Sequence, residues 1–438
     1  MTSVTDLASV LQELNSAEVD ELARASGFVQ RCRKFSGRSF VQTVVMGWLH
    51  NPASSLSELS SWSYLAGKGV SRQGVAQRFN AAAAVFLQAV LEAWLQQWVG
   101  SEAEVSGVVS KFRSVHVVDS SQVELPQSLV SVWAGGSGHS GARAALKLNV
   151  DWDLVSGGLQ GLELSAGRQH DQRAEVAQQV YEAGSVRLTD SGYWSLQQLA
   201  ALSRQHVGWV IPLKADACVY DEHGHKLEWL AWLTSTTADQ FEANVYAGKA
   251  KLPCRLCARR LSPEAQAYHR AYLDRQTAKH ARTPSPRQYA LCGWLVVITN
   301  LAADHLSLAE VFVLARLRWQ IEKLFDIWKS DGGLDQSRSH QPWRQLCEVY
   351  AKLLALLIQH WCSLLGVWQL PDRSLRQAYR VVRDHASLLL WALSYPTHLA
   401  TVLTYIQSAM LTCRMTARRK KPHTYQLLAQ PDLIWSLP

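Results

Sequence analysis

Residues 114–126 read SVHVVDSSQVELP, and this stretch gives the first indication of the fold. Its β-branched and apolar residues predict a buried strand, which Pro126 ends. Residues 145–167, ALKLNVDWDLVSGGLQGLELSAG, predict two further strands joined by a hairpin at the Ser-Gly-Gly of 156–158. A sheet is therefore expected to begin near residue 115.

Helices and strands alternate after this hairpin. The apolar patterns predict, in order, a helix, a strand, a helix and a strand in residues 175–184, 186–192, 193–205 and 207–215. A further buried strand, 293–301, leads into a long helix over 307–330. This order is typical of an α/β fold, in which we expect a sheet with mixed pairing.

The segments around this core differ from it in composition. Residues 1–104 carry apolar residues at helical spacing, and the chain from about 346 is also mostly helical. Residues 214–289 combine several prolines with many Lys and Arg residues, which indicates an inserted module with a basic surface. The expected order is a helical domain, the first core part, an insertion, the second core part and a helical C-terminal region, at 1–104, 105–213, 214–289, 290–345 and 346–438.

Composition and charge exclude several classes of protein. Hydrophobic residues make up 48% of the 438 residues and charged residues 18%, which is ordinary for a globular protein and unlike a disordered chain. Lys and Arg exceed Asp and Glu by 44 − 36 = 8. This basic balance favours partners that carry phosphates.

The sequence carries no recognisable signal for export or membrane insertion. The first twenty residues lack the positive region and apolar core of a signal peptide. The most apolar stretch, 353–370, is interrupted by Gln359 and His360. The eight cysteines are scattered, as is typical of reduced thiols. We therefore expect a cytoplasmic protein without a membrane segment.

Residues 54–80 have the pattern of a helix-turn-helix. A short helix ends near Gly67, and Ser71 is placed to cap a second helix that carries Arg72 and Arg78. The second helix of this motif can enter the major groove of DNA, so both arginines are candidate DNA-binding residues. The alternative is a plain helical hairpin with a solvated basic face.

Three acidic residues are candidate metal ligands. Asp119 follows an apolar run, Asp190 ends a predicted strand and Glu322 lies within the long helix. Carboxylates at the ends of adjacent strands converge at one edge of an α/β sheet, and a packed helix can add a third. Such a set can hold two divalent ions about 3.5–4 Å apart for phosphoryl transfer. Oxygen-only ligands suit Mg²⁺ or Mn²⁺.

Each acid also has a purely structural interpretation. Asp119 could cap a turn, Asp190 could cap the next helix, and Glu322 could pair with Arg318 four residues earlier. Arg318, Glu322 and Lys329 are separated by four and seven residues, which places them on one face of a helix. Two cations flanking an acid favour the functional interpretation, because they can bind phosphates beside a metal site.

Three blocks of the chain resemble the DDE transposases of the insertion sequence four family. They are VVDSSQ around Asp119, TDSGYWS around Asp190 and LARLRWQIEKLFDIWKS around Glu322. The family's third block reads Tyr-x2-Arg-x3-Glu-x6-Lys, and this chain has Ala315 in place of the tyrosine. The 131 residues between the second and third acids match a largely β-stranded insertion in the family. The resemblance extends over roughly residues 105–345.

The resemblance implies an RNase H-like mixed-sheet core with a β-rich insertion, flanked by helical domains. It implies a transposase that binds the terminal inverted repeats of an element as a homodimer on double-stranded DNA. With Mg²⁺, or Mn²⁺ in its place, the enzyme would cleave the ends, through hairpins in related enzymes, and join the 3′-hydroxyl ends to target DNA. Asp119, Asp190 and Glu322 would hold the metal, and Arg318 and Lys329 would bind DNA phosphates.

Trp294 lies in the strand before the Glu helix, where related enzymes use a tryptophan to stack on a flipped base. Two other functions remain open at this point. A transposition inhibitor would bind DNA without chemistry and would have lost a metal ligand, whereas all three acids are present here. A structure-selective nuclease would cut without joining. Asp171 is the replacement to test if one of the three acids is not a ligand.

Overall fold

The computed structural model describes residues 3–31, 35–102, 105–138, 141–278, 281–368, 370–416 and 421–437. Within these ranges, eleven strands form one mixed sheet. The strands are β1 Val115–Leu125, β2 Ala134–Gly138, β3 Gly141–Asp153, β4 Leu159–Ala166, β5 Val186–Thr189, β6 Gly208–Pro212, β7 Val219–Tyr220, β8 Lys226–Leu227, β9 Gln240–Ala247, β10 Leu252–Arg260 and β11 Trp294–Thr299.

Helices precede the sheet along the chain, connect several of its strands and follow it. They are α1 Val4–Gln12, α2 Ala17–Ala25, α3 Gly37–His50, α4 Leu56–Leu65, α5 Arg72–Ala76, α6 Ala81–Leu95, α7 Leu196–Arg204, α8 Trp229–Ser235, α9 Pro263–Ala278, α10 Pro286–Leu291, α11 Leu308–Leu317, α12 Trp319–Asp326, α13 Pro342–Gly366, α14 Leu375–Asp384, α15 Ala386–Ser394, α16 Pro396–Met410 and α17 Thr424–Ala429. The short 3₁₀ segments that bear on the site are given where they are used.

Five strands form the centre of the sheet, in the order β4-β3-β1-β5-β6. β1 is antiparallel to β3 and parallel to β5, and β5 is parallel to β6. β3 and β4 form the hairpin expected at 156–158. This is an RNase H-like α/β core, so the fold class expected from the resemblance is confirmed.

The residues expected to form an insertion, 214–289, continue the same sheet. β11 is antiparallel to both β6 and β10, and β9 then pairs with β10 and β7. The segment also contains α8, α9 and α10, so it is a mixture of strands and helices. The backbone hydrogen bonds of the sheet therefore connect these residues directly to the core.

The two faces of the central strands bury different kinds of side chain. Successive residues of a strand point to opposite faces. Val117 on β1 belongs to the main apolar core. On the opposite face, the His116 ring lies 2.9 Å from the Asp151 carboxylate, which also accepts a hydrogen bond from Tyr181 at 2.9 Å. This second face therefore buries a polar cluster around Asp151, and the chain between β4 and β5 packs on Val118 of the same face.

That covering segment is not the α-helix predicted for residues 175–184. It contains two 3₁₀ turns, Asp171–Arg173 and Glu175–Gln178. The carboxylate of Glu163 accepts the first two backbone N–H groups of the second turn at 2.5 and 3.4 Å. The apolar side chains of this turn pack on Val118. The prediction was wrong because these tertiary contacts keep the segment flat against the sheet.

The long helix predicted over 307–330 is divided. α11 ends at Leu317, and α12 begins after Arg318, whose backbone remains helical at φ −49° and ψ −35°. A π-helical turn, Ile327–Asp331, follows α12 directly. Turns of this kind are frequent at functional sites. The long helix is therefore interrupted at both ends of α12, the short helix that carries Glu322.

α13 joins the two helical ends of the chain. It packs against α3 and α6 of the N-terminal part and against α14 and α16 of the C-terminal part. Among the described residues, it is the one helix long and apolar enough to cross a membrane, but its apolar window is entirely buried. An apolar helix buried in this way is typical of the core of a large protein.

Candidate active site

Asp119 and Asp190 occupy neighbouring positions on two parallel strands. The register pairs Val118 of β1 with Thr189 of β5, so the residue that follows each of them is one of the two acids. β5 ends at Thr189, whereas β1 continues to Leu125. Asp119 therefore lies within β1, on the part of the strand that extends past the end of β5. The two acids lie side by side there.

Glu322 is connected to this pair through Arg318. α12 packs against β1, and Arg318 stands at the junction before α12. One guanidinium nitrogen lies 2.8 Å from Glu322 Oε1, and the other lies 3.5 Å from Asp119 Oδ2. The predicted ion pair between Glu322 and Arg318 is thus present. The side chain of Arg318 also contacts Asp119, so it connects the two acids.

The acids are close without forming a closed set of ligands. In the part of the chain that the structure describes, no three His, Cys, Asp or Glu side chains are grouped tightly enough to hold a metal ion. Glu322 has 46% of its side chain exposed, and Arg318 has 15%. Glu322 therefore has room to change its rotamer, whereas Arg318 is largely enclosed.

The electrostatic environment of Asp119 reflects this arrangement. The pKa of its carboxyl is raised to about 7, mainly by burial and also by the charges of Asp190 and Glu322. The N–H of Ser120, which donates to Asp119 Oδ1 at 2.8 Å, and the Arg318 charge lower the pKa. A buried carboxyl whose pKa is raised by neighbouring acids is typical of a functional site.

Asp190 also caps the turn that follows it. Its Oδ1 accepts the N–H of Gly192 at 2.8 Å, at the start of the 3₁₀ turn Ser191–Tyr193. A Cβ at Gly192 would lie 3.0 Å from Asp190 Oδ1 and 3.6 Å from Asp171 Oδ2. Glycine therefore allows two acids to approach this turn. A carboxylate has two oxygens, so capping leaves Asp190 able to serve as a ligand.

Lys329 lies on the π-helical turn after α12 and is partly buried. The end of this turn is held by Asp331, whose Oδ1 accepts hydrogen bonds from Arg380 of α14 at 2.7 and 3.0 Å. The seven residues from Glu322 to Lys329 therefore span the end of α12 and the start of this wider turn.

Trp294 and Trp319 differ in their exposure to solvent. Trp294, the first residue of β11, is 5% exposed, and the Arg260 guanidinium lies 4.4 Å from its ring centroid. Trp319 is 55% exposed and directly follows Arg318, whose guanidinium is 5.9 Å from the ring. Trp319 was not predicted as a functional residue from the sequence. Its position inside the third block was the available signal.

Arg72 and Arg78 lie in the N-terminal helices. Ser71 caps α5, since its side chain accepts the N–H of Gly74, and Arg72 is the first residue of that helix. α5 has only five residues and ends at Ala76, so Arg78 lies beyond it, contrary to the helix predicted through that position. The next helix, α6, has its own cap and begins three residues after Arg78. None of the described contacts joins these arginines to the three acids.

Comparison with known proteins agrees with this fold. The family described as Transposase DDE domain matches residues 110–358, which is 249 of 438 residues. The transposase for insertion sequence element IS231F of Bacillus thuringiensis subsp. israelensis is 26% identical, and the alignment covers 95% of this chain and 92% of that protein.

Two further transposases extend the comparison. The one for insertion sequence element IS1151 of Clostridium perfringens is 21% identical over 80% of this chain and 78% of its own length. The one for IS421 of Escherichia coli is 27% identical over 78% of this chain and 89% of its own length. The family match contains Asp119, Asp190 and Glu322. The chain therefore belongs to the transposase DDE domain family, within the insertion sequence four group, and is a DNA transposase.

Proposed function

We propose that this transposase binds the terminal inverted repeats of an insertion element, cleaves its ends by metal-dependent hydrolysis and joins the 3′-hydroxyl ends to target DNA. The observation that carries the proposal is the position of Asp119 beside Asp190, with Glu322 linked to Asp119 through Arg318. Phosphoryl transfer depends more on positioning and charge neutralisation than on a covalent intermediate.

Enzymes of this family use divalent metal ions. The donors of Asp119, Asp190 and Glu322 are all carboxylate oxygens, which fit Mg²⁺, with Mn²⁺ as a substitute. The raised pKa of Asp119 supports this fit, because burial together with two neighbouring acids favours a bound cation. A pair of such ions would activate a water molecule and stabilise the leaving oxygen.

The side chains of α12 and its two junctions would hold the DNA backbone. The guanidinium of Arg318 pairs with Glu322 and also contacts Asp119. When Glu322 turns toward the other acids, the guanidinium of Arg318 becomes available to a phosphate beside the scissile bond. Lys329, on the following π-helical turn, would bind a second phosphate. Arginine suits such a contact because it donates two parallel hydrogen bonds.

Hairpin formation would require a base to leave the duplex, and an aromatic ring then stabilises it by stacking. Trp294 would have to leave Arg260 before it could stack on a base. The exposed ring of Trp319 needs no such rearrangement and lies beside Arg318. We therefore consider Trp319 the better platform, with Trp294 as the alternative.

Recognition of the element ends would depend on the N-terminal helices. The α4–turn–α5 unit has the order of a helix-turn-helix, and Arg72 is exposed at the start of α5. Arg78 is placed after that helix, where it could contact the DNA backbone. We propose that two copies of the chain act together on paired ends as a homodimer in the cytoplasm.

A strand-cleavage assay tests the proposal. The protein is incubated with Mg²⁺ and labelled duplexes that carry its own element ends, together with a target plasmid, and the products are separated on denaturing gels. Nicked ends and products joined to the target support the proposal. Nicks without joining would instead indicate a nuclease, and specific binding without cleavage would indicate a transposition inhibitor.

A further inference from the structure

The loop before β5 contacts the turn that carries Asp190. This loop, residues 169–173, is named the clamp segment here, and it includes the 3₁₀ turn Asp171–Arg173. The Nε2 group of Gln172 donates to the carbonyl of Trp194 at 2.7 Å and to that of Gly192 at 3.3 Å. Both carbonyls belong to the chain just after Asp190. One side chain therefore holds this turn at two points.

The clamp segment is also attached to the strand that carries Asp119. Ser120 Oγ donates to Asp171 Oδ1 at 2.8 Å. Lys147 of β3 donates to the same oxygen at 3.0 Å and to the carbonyl of Gln169 at 2.6 Å. The side chain of Lys147 is 8% exposed, so its charge is held at a fixed place. These bonds fix the clamp segment to β1 and β3.

Among the residues that the structure describes, the side-chain hydrogen bonds that link the Asp190 turn to β1 run through the clamp segment. The ladder between β1 and β5 ends with Val118 and Thr189, one residue before the two acids. Beyond it, Tyr193 packs on Val118 and the apolar residues of the neighbouring 3₁₀ turn. Apolar packing limits the position of the turn less strictly than directed hydrogen bonds do. The clamp segment therefore adds directed side-chain contacts to this apolar packing.

We propose that Gln172 and Asp171 are positioning residues, which hold the Asp190 turn against β1 so that Asp119 and Asp190 can share a divalent cation. The inference rests on the proposed metal-dependent function, and it gives a positioning role to residues other than the three acids. Hydrogen-bonded groups behind metal ligands orient those ligands, and their loss usually weakens metal binding by about 10–100-fold.

Gln172→Met tests the proposal, because methionine keeps the size of the side chain and removes both donors. Ser120→Ala is a second variant, which breaks the link from β1 to Asp171 without changing any charge. Gln178→Met is the matched control, since Gln178 is an exposed glutamine on the following 3₁₀ turn. Mn²⁺ is titrated into each full-length protein, and the free ion is measured by electron paramagnetic resonance.

We expect Gln172→Met and Ser120→Ala to weaken Mn²⁺ binding by about tenfold or more, and Gln178→Met to leave it within about twofold. The Tm of Gln172→Met should stay near the wild-type value, and higher Mn²⁺ should restore its cleavage of DNA ends. A merely structural role would instead lower the Tm and would not be rescued by metal.

Asp119→Asn separates this inference from the proposed function. If the wild-type protein binds Mn²⁺ and Asp119→Asn does not, the metal site stands. Wild-type affinity in both Gln172→Met and Ser120→Ala would then overturn the positioning role alone. Failure of the wild-type protein to bind Mn²⁺, or unchanged binding in Asp119→Asn, would overturn both the metal site and the clamp.

Discussion

Arg318 is the residue that would couple metal binding to DNA binding, because it contacts two of the three acids. Its guanidinium contacts Asp119 and Glu322, so it occupies the space in which a cation would neutralise the same two carboxylates. Glu322 would have to exchange this contact with Arg318 for one with a divalent ion in order to serve as a ligand. A DNA phosphate that attracts Arg318 would make that exchange easier. Metal affinity should therefore rise when an element end is bound.

Arg318→Gln should tighten Mn²⁺ binding to the protein without DNA, because the competing charge is removed. An ion pair of this exposure contributes about 1 kcal/mol, which corresponds to about fivefold in affinity. Cleavage of DNA ends should nevertheless fall, since a phosphate contact is lost. Arg204→Gln, at the exposed end of α7, is the control. Unchanged or weaker Mn²⁺ binding in Arg318→Gln would contradict the competition.

Asp119 gives the metal-free protein a predictable dependence on pH. Its pKa is about 7 in the folded chain and 3.8 in a model peptide, so the folded state retains a proton that the unfolded state has lost between these values. The free energy of unfolding therefore decreases as the pH rises from about 4 to 7. This contribution is present at low pH and absent above pH 7.

Asp119→Asn should remove this dependence. The variant should gain stability over the wild-type protein as the pH rises from 5 to 8, by on the order of 1–3 kcal/mol. Thermal unfolding with a chelator present measures the gain. Asp304→Asn, at an exposed acid, is the control and should gain nothing. Equal gains at both pH values would show that burial does not raise the pKa of Asp119.

Among the secondary-structure elements, β11 and α12 each present one tryptophan that could act on a flipped base. Trp319→Ala should slow hairpin formation by about tenfold and spare the first nick, because a stacking ring contributes roughly 1–3 kcal/mol. Trp294→Ala should reduce all products together and lower the Tm, because its ring is packed under Arg260. Gels that resolve nicked from hairpin ends measure both. Selective loss of hairpins in Trp294→Ala would reverse the assignment.

The sequence was most informative about elements that local patterns determine. β1, the β3–β4 hairpin and the cap at Ser71 were predicted correctly, because strand alternation, a Gly-containing turn and a capping hydroxyl act over a few residues. The helix predicted over 175–184 was wrong, since Glu163 and Val118 determine the conformation of that segment. Contacts of this kind join residues that are distant in sequence, so they cannot be predicted from composition or from the periodicity of apolar residues.

In the candidate site, too, some features follow from local sequence patterns and others depend on contacts between residues distant in sequence. The prediction that Asp119 and Asp190 converge at one edge of the sheet followed from the order of the elements, but the parallel pairing of their strands did not. The link from Arg318 to Asp119 spans 199 residues. The contacts of the clamp segment could likewise not be predicted from the sequence. Asp171 alone was named, and only as a replacement ligand. The burial of Trp294 depends on Arg260 of β10. Side-chain partners across the sheet require the three-dimensional structure.

At the scale of the whole molecule, the packing of α13 decides whether the N-terminal helices can be studied apart from the catalytic core. Its packing against α3 and α6 contributes to the core of the N-terminal helices. A fragment of residues 1–104 would expose that apolar surface, so tests of DNA recognition require the full chain. The proposed recognition and catalytic regions thus share one continuous apolar core.

Arg72→Ala in the full chain should weaken binding to element ends and decrease the slope of log K against log salt by about 1, because one phosphate contact is lost. Fluorescence anisotropy over a range of salt concentrations measures both quantities. Arg24→Ala, an exposed arginine in the last turn of α2, is the control. Unaltered affinity in Arg72→Ala would move recognition away from the start of α5.

The most direct test of the central claim is cleavage of element ends by three conservative variants, with binding measured in parallel. Asp119→Asn, Asp190→Asn and Glu322→Gln keep the size of each side chain and remove the charge that a divalent cation requires. We predict that each abolishes nicking in Mg²⁺ and leaves the Kd for element ends nearly unchanged. Cleavage at a near wild-type rate by any of the three would contradict the proposed metal site.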